Sequence, residues 1–345
     1  MKIWATIAVL TIGLSLALII WLLHPPKSIS MATGPENGSY AQIAKQYKQV
    51  LARDGIDLRI VYTAGSGENA DLLADGRVDI ALLQGGVAVP AAGPEAIGSI
   101  FFETMLFLTR NGVKVPGNPT QWRDLIITSG AAGSGTATAF RDFQTAVGLD
   151  PDANIQLHMS YDEAVEALEN KEVDIAVFVS SIDAPYLQSA YASQNVAFLP
   201  LSYTSAISRR LGYAEVIVVP SGAISLNPVI PPAPQRVLAL EARLVISEDL
   251  HPALVNRLTM AAKELHGNRN ALADRNMFPK ADGAGLPVNN AARQLIEEGP
   301  STWHGLLPYW MAAQVNKMFL LLLPVFLIIV PFLRALPAIY AYLMG

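Results

Sequence analysis

Three short turns rich in glycine and serine carry the chemistry that this sequence can offer. They are Asn37-Gly38-Ser39, Gly65-Ser66-Gly67 and Gly133-Ser134-Gly135, and each leads into a segment with helical spacing. A helix N-terminus presents unpaired N–H groups and about half a positive charge, so it holds anions readily. Glycine lets backbone approach closely, and serine or threonine adds a hydroxyl donor. The residues expected to contact a ligand are Gly38, Ser39, Tyr40, Ser66, Asn69, Gln84, Ser134, Gly135 and Thr136. Each serine also has a purely structural reading as an ordinary helix cap, and the Asn69 and Gln84 amides have one as turn-stabilising groups. Arg110 ends an apolar strand and reads as a solvated end. Asp183 and Tyr186 sit in a loop beside the expected cleft, where a structural role is the simpler reading.

Other chemistries are poorly supported. Gly133-Ser134-Gly135-Thr136 lacks the lysine of a phosphate-binding loop. Ser134 lacks the glycine two residues earlier that a nucleophile elbow needs. The histidines, at 24, 158, 251, 266 and 304, form no His-x-x-x-His pair, and there is no cysteine. No catalytic residue, metal site or cofactor is expected, and the chain reads as a non-enzyme. A net charge of −5 gives no basic footprint for nucleic acid.

The elements that must position these turns alternate strand and helix. Strands are expected at 28–33, 58–62 and 78–83, with helices from Ser39 and after Gly67, a βαβαβ order that argues a mostly parallel sheet. A second unit follows, with strands at 125–128, 155–159 and 173–179 and helices at 136–147 and 161–168. The apolar stretch 100–109 is long enough to cross between two lobes, and 196–201 is the expected crossing back. Residues 203–266 read as helix, strand and helix, with a proline-rich loop at 221–235. The expected architecture is α/β and two-lobed. Residues 28–108 and 200–300 form lobe 1, and 109–199 form lobe 2.

Apolar residues make up 52% of the chain and charged residues 15%, an excess that membrane segments explain better than a larger core. Ile3 to Leu23 is uncharged and about as long as a bilayer span, so residues 1–27 read as an anchor or signal. Met318 to Leu333 is a second apolar run behind Trp303, Tyr309 and Trp310, so 301–345 reads as an interfacial segment and a C-terminal transmembrane helix. The soluble part is placed outside the cytoplasmic membrane, in the periplasm or outside the cell.

In this order the segments resemble the TAXI family of solute-binding proteins, associated with TRAP transporters. The resemblance rests on residues 33–40, Gly65-Ser66-Gly67-Glu68-Asn69, the stretch from Gly76 to Gln84, the run from Phe102 to Arg110, Gly133-Ser134-Gly135-Thr136, and 169–178. It covers roughly residues 28–300. It implies a type II periplasmic-binding-protein fold with a cleft between lobes, a small organic anion (dicarboxylate, keto acid or amino acid) as ligand, and TRAP permease subunits as membrane partners. Pro35 and Glu36 depart from the glycine-rich pattern. The C-terminal apolar segment resembles that of a membrane-anchored subset, for which a tethered sensor or assembly subunit is the alternative role.

Overall fold

The computed structural model describes residues 2–282 and 285–324, together with 327, 331, 334 and 335. The N-terminal apolar run forms a single helix, α1 (Lys2–Leu23). The first βαβαβ unit follows as β1 (Ser28–Ala32), α2 (Ser39–Ala52), β2 (Asp57–Val61), α3 (Ser66–Ala74) and β3 (Ile80–Leu83). In α2 the buried residues Tyr40, Ala44, Tyr47 and Leu51 fall on one stripe, which is why this segment settles as a helix against a sheet. β1 pairs with both β2 and β3 in parallel.

A long strand, β4 (Glu95–Arg110), then leaves this lobe. The second unit comprises β5 (Ile126–Thr128), α4 (Gly135–Val147), β6 (Ile155–Leu157), α5 (Tyr161–Glu169) and β7 (Ile175–Ser180). Gly148 closes α4 in the left-handed conformation at φ 68°, a position that suits glycine. Ser160 and Glu163 form a reciprocal capping box at the start of α5. The chain continues through α6 (Pro185–Ala192), β8 (Val196–Phe198), α7 (Thr204–Leu211), β9 (Ala214–Val219), the hairpin β10 (Ser225–Leu226) and β11 (Val229–Ile230), and the long strand β12 (Gln235–Ile246). Helices α8 (Pro252–His266) and α9 (Asn290–Glu298) return to the first lobe, followed by the short α10 (Tyr309–Ala312).

One sheet runs through both lobes in the order β2-β1-β3-β12-β4-β7-β5-β6, with β8 added to β4 and β9 to β12. Its wings are parallel, and the antiparallel pair β4–β12 joins them. In lobe 1, α2 and α8 cover one face through Tyr47, Leu51, Leu254 and Leu258, and α3 covers the other through Leu72 and Leu73. In lobe 2, alternate residues of β4 serve opposite faces. Met105 and Phe107 pack with Trp122, Phe140 and Phe143, while Leu106 and Leu108 pack with α5 and α6. This alternation follows from the two-residue repeat of a strand.

The structure corrects the expected lobe boundary. The segment 196–201 does not cross back: β8 adds to the lobe 2 end of β4, at Leu108–Arg110. The return is made by β12, whose first half pairs with β9 and whose second half pairs with β3. Leu199, Ile207 and Ala214 belong to the same core as Phe140 and Phe143, so lobe 2 extends through 200–237 rather than ending at 199. The expected helix-strand-helix over 203–266 contains this second long strand as well.

Among the described residues no helix is long and apolar enough to cross a membrane. In α1, side chains are described at 6, 10, 13–15 and 17–23. Residues 315–324 are helical, and the remainder of the expected C-terminal span lies outside the described residues, apart from 327 and 331. The two terminal segments meet: Gln314 Nε2 donates to Leu23 O at 2.8 Å and to Trp310 O at 3.1 Å. The His24 and Trp310 rings lie 5.4 Å apart.

Candidate functional site

The three turns converge where the lobes meet. α2 and α3 start from lobe 1 and α4 from lobe 2, and their first residues enclose a cavity of about 40 Å³. Its walls include Thr33, Gly38, Ser39, Tyr40, Ser66 and Gln84 from lobe 1, and Gly135, Tyr161, Ser180 and Tyr186 from lobe 2. Glu103, on β4, forms part of the wall between them.

Cap geometry separates the serines. Gly38 and Gly65, not Ser39 and Ser66, are the N-caps of α2 and α3, and neither helix has a side-chain cap. Their first N–H groups are therefore left without the usual side-chain partner. Ser66 Oγ accepts from Gln84 N at 3.0 Å, while Ser39 Oγ is buried without a hydrogen-bond partner. Ser134 is a true N-cap: its Oγ accepts from Ala137 N at 3.1 Å. Gly65 has φ 141°, a backbone that L side chains rarely adopt. A Cβ there would lie 3.4 Å from Ser134 Cα in the other lobe.

The structure thus brings Gly38, Ser39, Tyr40, Ser66, Gln84 and Gly135 to one cavity, and sets Asn69, Ser134 and Thr136 behind it. Asn69 is wholly buried. Its amide donates to Thr33 O at 2.7 Å and Leu82 O at 2.8 Å, and it accepts from Thr63 Oγ1 at 2.5 Å. All of its amide hydrogens are spent on tying β1, β3 and the following turn together. Thr136 Oγ1 accepts from Val179 N at 3.2 Å and lies 3.1 Å from Tyr161 Oη, so it positions a cavity residue from the rear. Arg110 is paired with Asp174 at 2.8 Å. Asp183 lines a different pocket, with Phe101, Phe102 and His266.

Glu103 and Tyr161 went unassigned at the sequence level, and Tyr186, read there as a structural residue of a loop, lies on α6 and lines the wall. Glu103 is 3% exposed, and Tyr40 Oη donates to its Oε2 at 2.7 Å. Burial pushes the carboxyl up to about 8, against the lowering effects of the Tyr40 hydrogen bond and the Arg243 charge. Burial also raises the Tyr40 and Tyr186 phenols, and it pushes Tyr161 up to about 12, so all three stay neutral. Tyr161 and Tyr186 stack with centroids 4.5 Å apart. Tyr186 is 5% exposed, and its hydroxyl is buried without a hydrogen-bond partner. Behind Gln84, the buried Arg243 donates to Gln84 O at 2.9 Å and to Val87 O. An acidic residue in the apolar interior of a strand whose other charges, Glu95 and Arg110, stand at its two ends was the available signal for Glu103.

The lobes touch across the site. Gln84 Nε2 donates to Gly135 O at 2.9 Å, and Asn37 bonds Asp162 at the rim. The arrangement suits hydrogen bonding to a small acceptor-rich group held between the two lobes. The described residues contain no group of three or more His, Cys, Asp or Glu side chains that could hold a metal ion.

The sequence profile of the NMT1-like family matches residues 31–274, a span that runs from the end of β1 through α8 and includes every residue of the cavity wall. The chain belongs to the NMT1-like family. No curated protein matches it. Among solved structures, this NMT1-like chain is similar to the ligand-binding component of an ABC-type import system from Staphylococcus aureus, with 13% identity and a TM-score of 0.44, covering 69% of this chain and 73% of that one. The periplasmic aliphatic sulphonate binding protein from Escherichia coli is 12% identical with a TM-score of 0.44, covering 69% of each chain. The alkanesulfonate-binding protein from Xanthomonas axonopodis pv. citri, bound to MOPS, is 12% identical with a TM-score of 0.46, covering 83% and 82%.

Proposed function

We propose that this protein is an extracytoplasmic solute-binding subunit that captures a small organic anion between its lobes and hands it to a membrane transporter of the TRAP type. The observation that carries this reading is the meeting of three helix N-termini from both lobes at one cavity, two of them without side-chain caps. Such ends favour negative charge and offer backbone donors. The partnerless Ser39 and Tyr186 hydroxyls add two further donors. The space between the helix ends is small in this arrangement of the lobes, which favours a small ligand over an extended one. Ligand-driven closure of two lobes about a hinge is a recurrent way to signal occupancy to a partner.

A tether fits the same reading. Ile3 to Leu23 is uncharged, and α1 exposes Leu10, Leu14, Leu18, Trp21 and Leu22. We take it as the attachment to the inner membrane, with the lobes in the periplasm or outside the cell. The test is a thermal-shift screen of the full chain in detergent against mono- and dicarboxylates, keto acids and amino acids. A saturable rise in melting temperature is the expected result, since a ligand that binds the folded state stabilises it. No shift with any of these compounds, on a sample that melts cooperatively, would refute the capture of a small anion.

A further inference from the structure

Glu103 poses a problem for an anion site. It lies on the strand that crosses between the lobes, it is buried, and it lines the cavity. Among the residues of that wall it alone can carry a formal charge near neutral pH; no lysine, arginine or histidine joins it. An anion held at the helix ends would share a space of about 40 Å³ with this carboxyl. Two negative charges so close, in a poorly screened interior, repel strongly. The groups that face Glu103 are Tyr40 from α2, Tyr161 from α5, Tyr186 from α6 and Arg243 from β12. The three phenols are neutral. Arg243 already donates to Gln84 O and Val87 O, on the lobe 1 side of the wall.

Resting on the anion-capture reading above, we propose that Glu103 takes part in the site as a neutral carboxylic acid, so that the protein takes up its anion together with a proton. A neutral carboxyl has a hydrogen to donate, whereas a carboxylate only accepts. The Tyr40 hydroxyl, already bonded to Oε2, leaves the carboxyl a fixed orientation in the wall. The ligand class narrows accordingly, to keto, hydroxy or simple carboxylates without an ammonium group. An amino acid would instead find its counter-ion in ionised Glu103. The upward displacement of Glu103 to about 8 agrees with the neutral form near pH 7. With only the protonated site competent, the competent fraction falls from about nine-tenths at pH 7 to about one-tenth at pH 9. Apparent affinity then drops about tenfold over that range, and the sign is a loss as pH rises.

The experiment uses the full chain in detergent, titrated calorimetrically with pyruvate and with alanine, from pH 6 to 9, in buffers of different ionisation heat. In parallel, carboxyl-carbon NMR of glutamate-labelled protein follows Glu103, assigned by its absence in Glu103→Gln. The expected result is pyruvate binding that weakens about tenfold from pH 7 to pH 9 with proton uptake at the upper end, a Glu103 carbon titrating near 8, and a flat pH profile in Glu103→Gln. Alanine bound in preference to pyruvate, or pyruvate binding indifferent to pH, would overturn proton co-capture and leave a ligand-binding protein standing. A Glu103 carbon titrating in the ordinary carboxylate range would overturn it whatever binds. Failure of both probes to bind, with Glu103 titrating near 8, would count against anion capture itself and remove co-capture with it.

Discussion

Gly67 offers a way to hold the lobes apart without weakening either of them. It is the second residue of α3, in lobe 1, and a Cβ built there would lie 2.9 Å from Gly133 O in lobe 2. Ordinary contact begins at 3.4 Å, so Gly67→Ala forces the lobes apart locally by about 0.5 Å, because backbone on the far side cannot swing away as a side chain can. The cross-lobe bond from Gln84 to Gly135 O, 2.9 Å long, is then stretched toward the limit of useful geometry. Losing it costs about 0.5–1.5 kcal/mol of the closed form, or about 2- to 13-fold in its population. Within lobe 1 the change is favourable, since alanine stabilises a helix over glycine by roughly 0.5–1 kcal/mol. The chain has no cysteine, so Asp75→Cys in lobe 1 and Asn170→Cys in lobe 2, both exposed, take a dye pair cleanly. Single-molecule energy transfer should show Gly67→Ala moving molecules from the closed to the open population, with an unchanged or higher melting temperature. An unaltered closed population, or a melting temperature several degrees lower, would refute the steric argument.

Other perturbations follow from the same geometry. Glu103→Gln should become more stable than the parent as pH rises. The folded-state value is raised from 4.5 to about 8, so stability is fully present below about pH 4.5 and is lost on the way up to about pH 8. The gap amounts to roughly 5 kcal/mol at 1.36 kcal/mol per pH unit. Urea unfolding of both proteins at pH 5, 7 and 9 measures the difference, and parallel profiles would contradict it. Asn69→Ala should cost at least about 3 kcal/mol, because it strands two buried carbonyls and a hydroxyl; a loss under about 1 kcal/mol would show that the amide is not holding β1 to β3. Tyr186→Phe removes a partnerless buried hydroxyl, so thermal stability should hold or rise while ligand affinity falls about tenfold; equal affinity by calorimetry would take Tyr186 out of the site.

Most of lobe 1 and the first half of lobe 2 could be read from the chain, because each strand and helix there is a local pattern, several of them bounded by glycine turns and α5 by the Ser160 cap. Ser39 to Leu51 shows its helical stripe without reference to any distant residue. β12 was harder. Arg236, Glu241 and Arg243 interrupt its apolar residues, and the reason those charges are tolerated lies elsewhere: Glu241 is matched by Lys280 and Arg243 by the Gln84 and Val87 carbonyls. Missing that strand displaced the return crossing to 196–201. The site divides in the same way. Glycine turns before helices are visible in sequence, so Gly38, Ser39, Ser66 and Gly135 could be named. Which serine caps its own helix and which faces a cavity depends on whether Gly38 and Gly65 take the cap position, a matter of one residue in helix start. Glu103, Tyr161 and Tyr186 come from elements widely separated in sequence, and only the stacking of lobe on lobe gathers them.

The β4–β12 pair splints the two lobes through the middle of one continuous sheet. Both strands run unbroken from one lobe to the other, and their register slips between Ala242 and Arg243 and again between Leu244 and Val245, irregularities that sharpen local twist. A flexible linker would let the lobes tumble freely; here β12 is flanked by β9 over Gln235–Leu240 and by β3 over Arg243–Ile246, so only Glu241 and Ala242 lie between its two outer partners. Any change of angle between the lobes therefore falls on the few residues around that gap in the outer pairing. The pair that joins the lobes also carries Glu103 on one strand and Arg243 on the other, so the connection between the lobes and the backbone that meets the cavity are the same piece of structure.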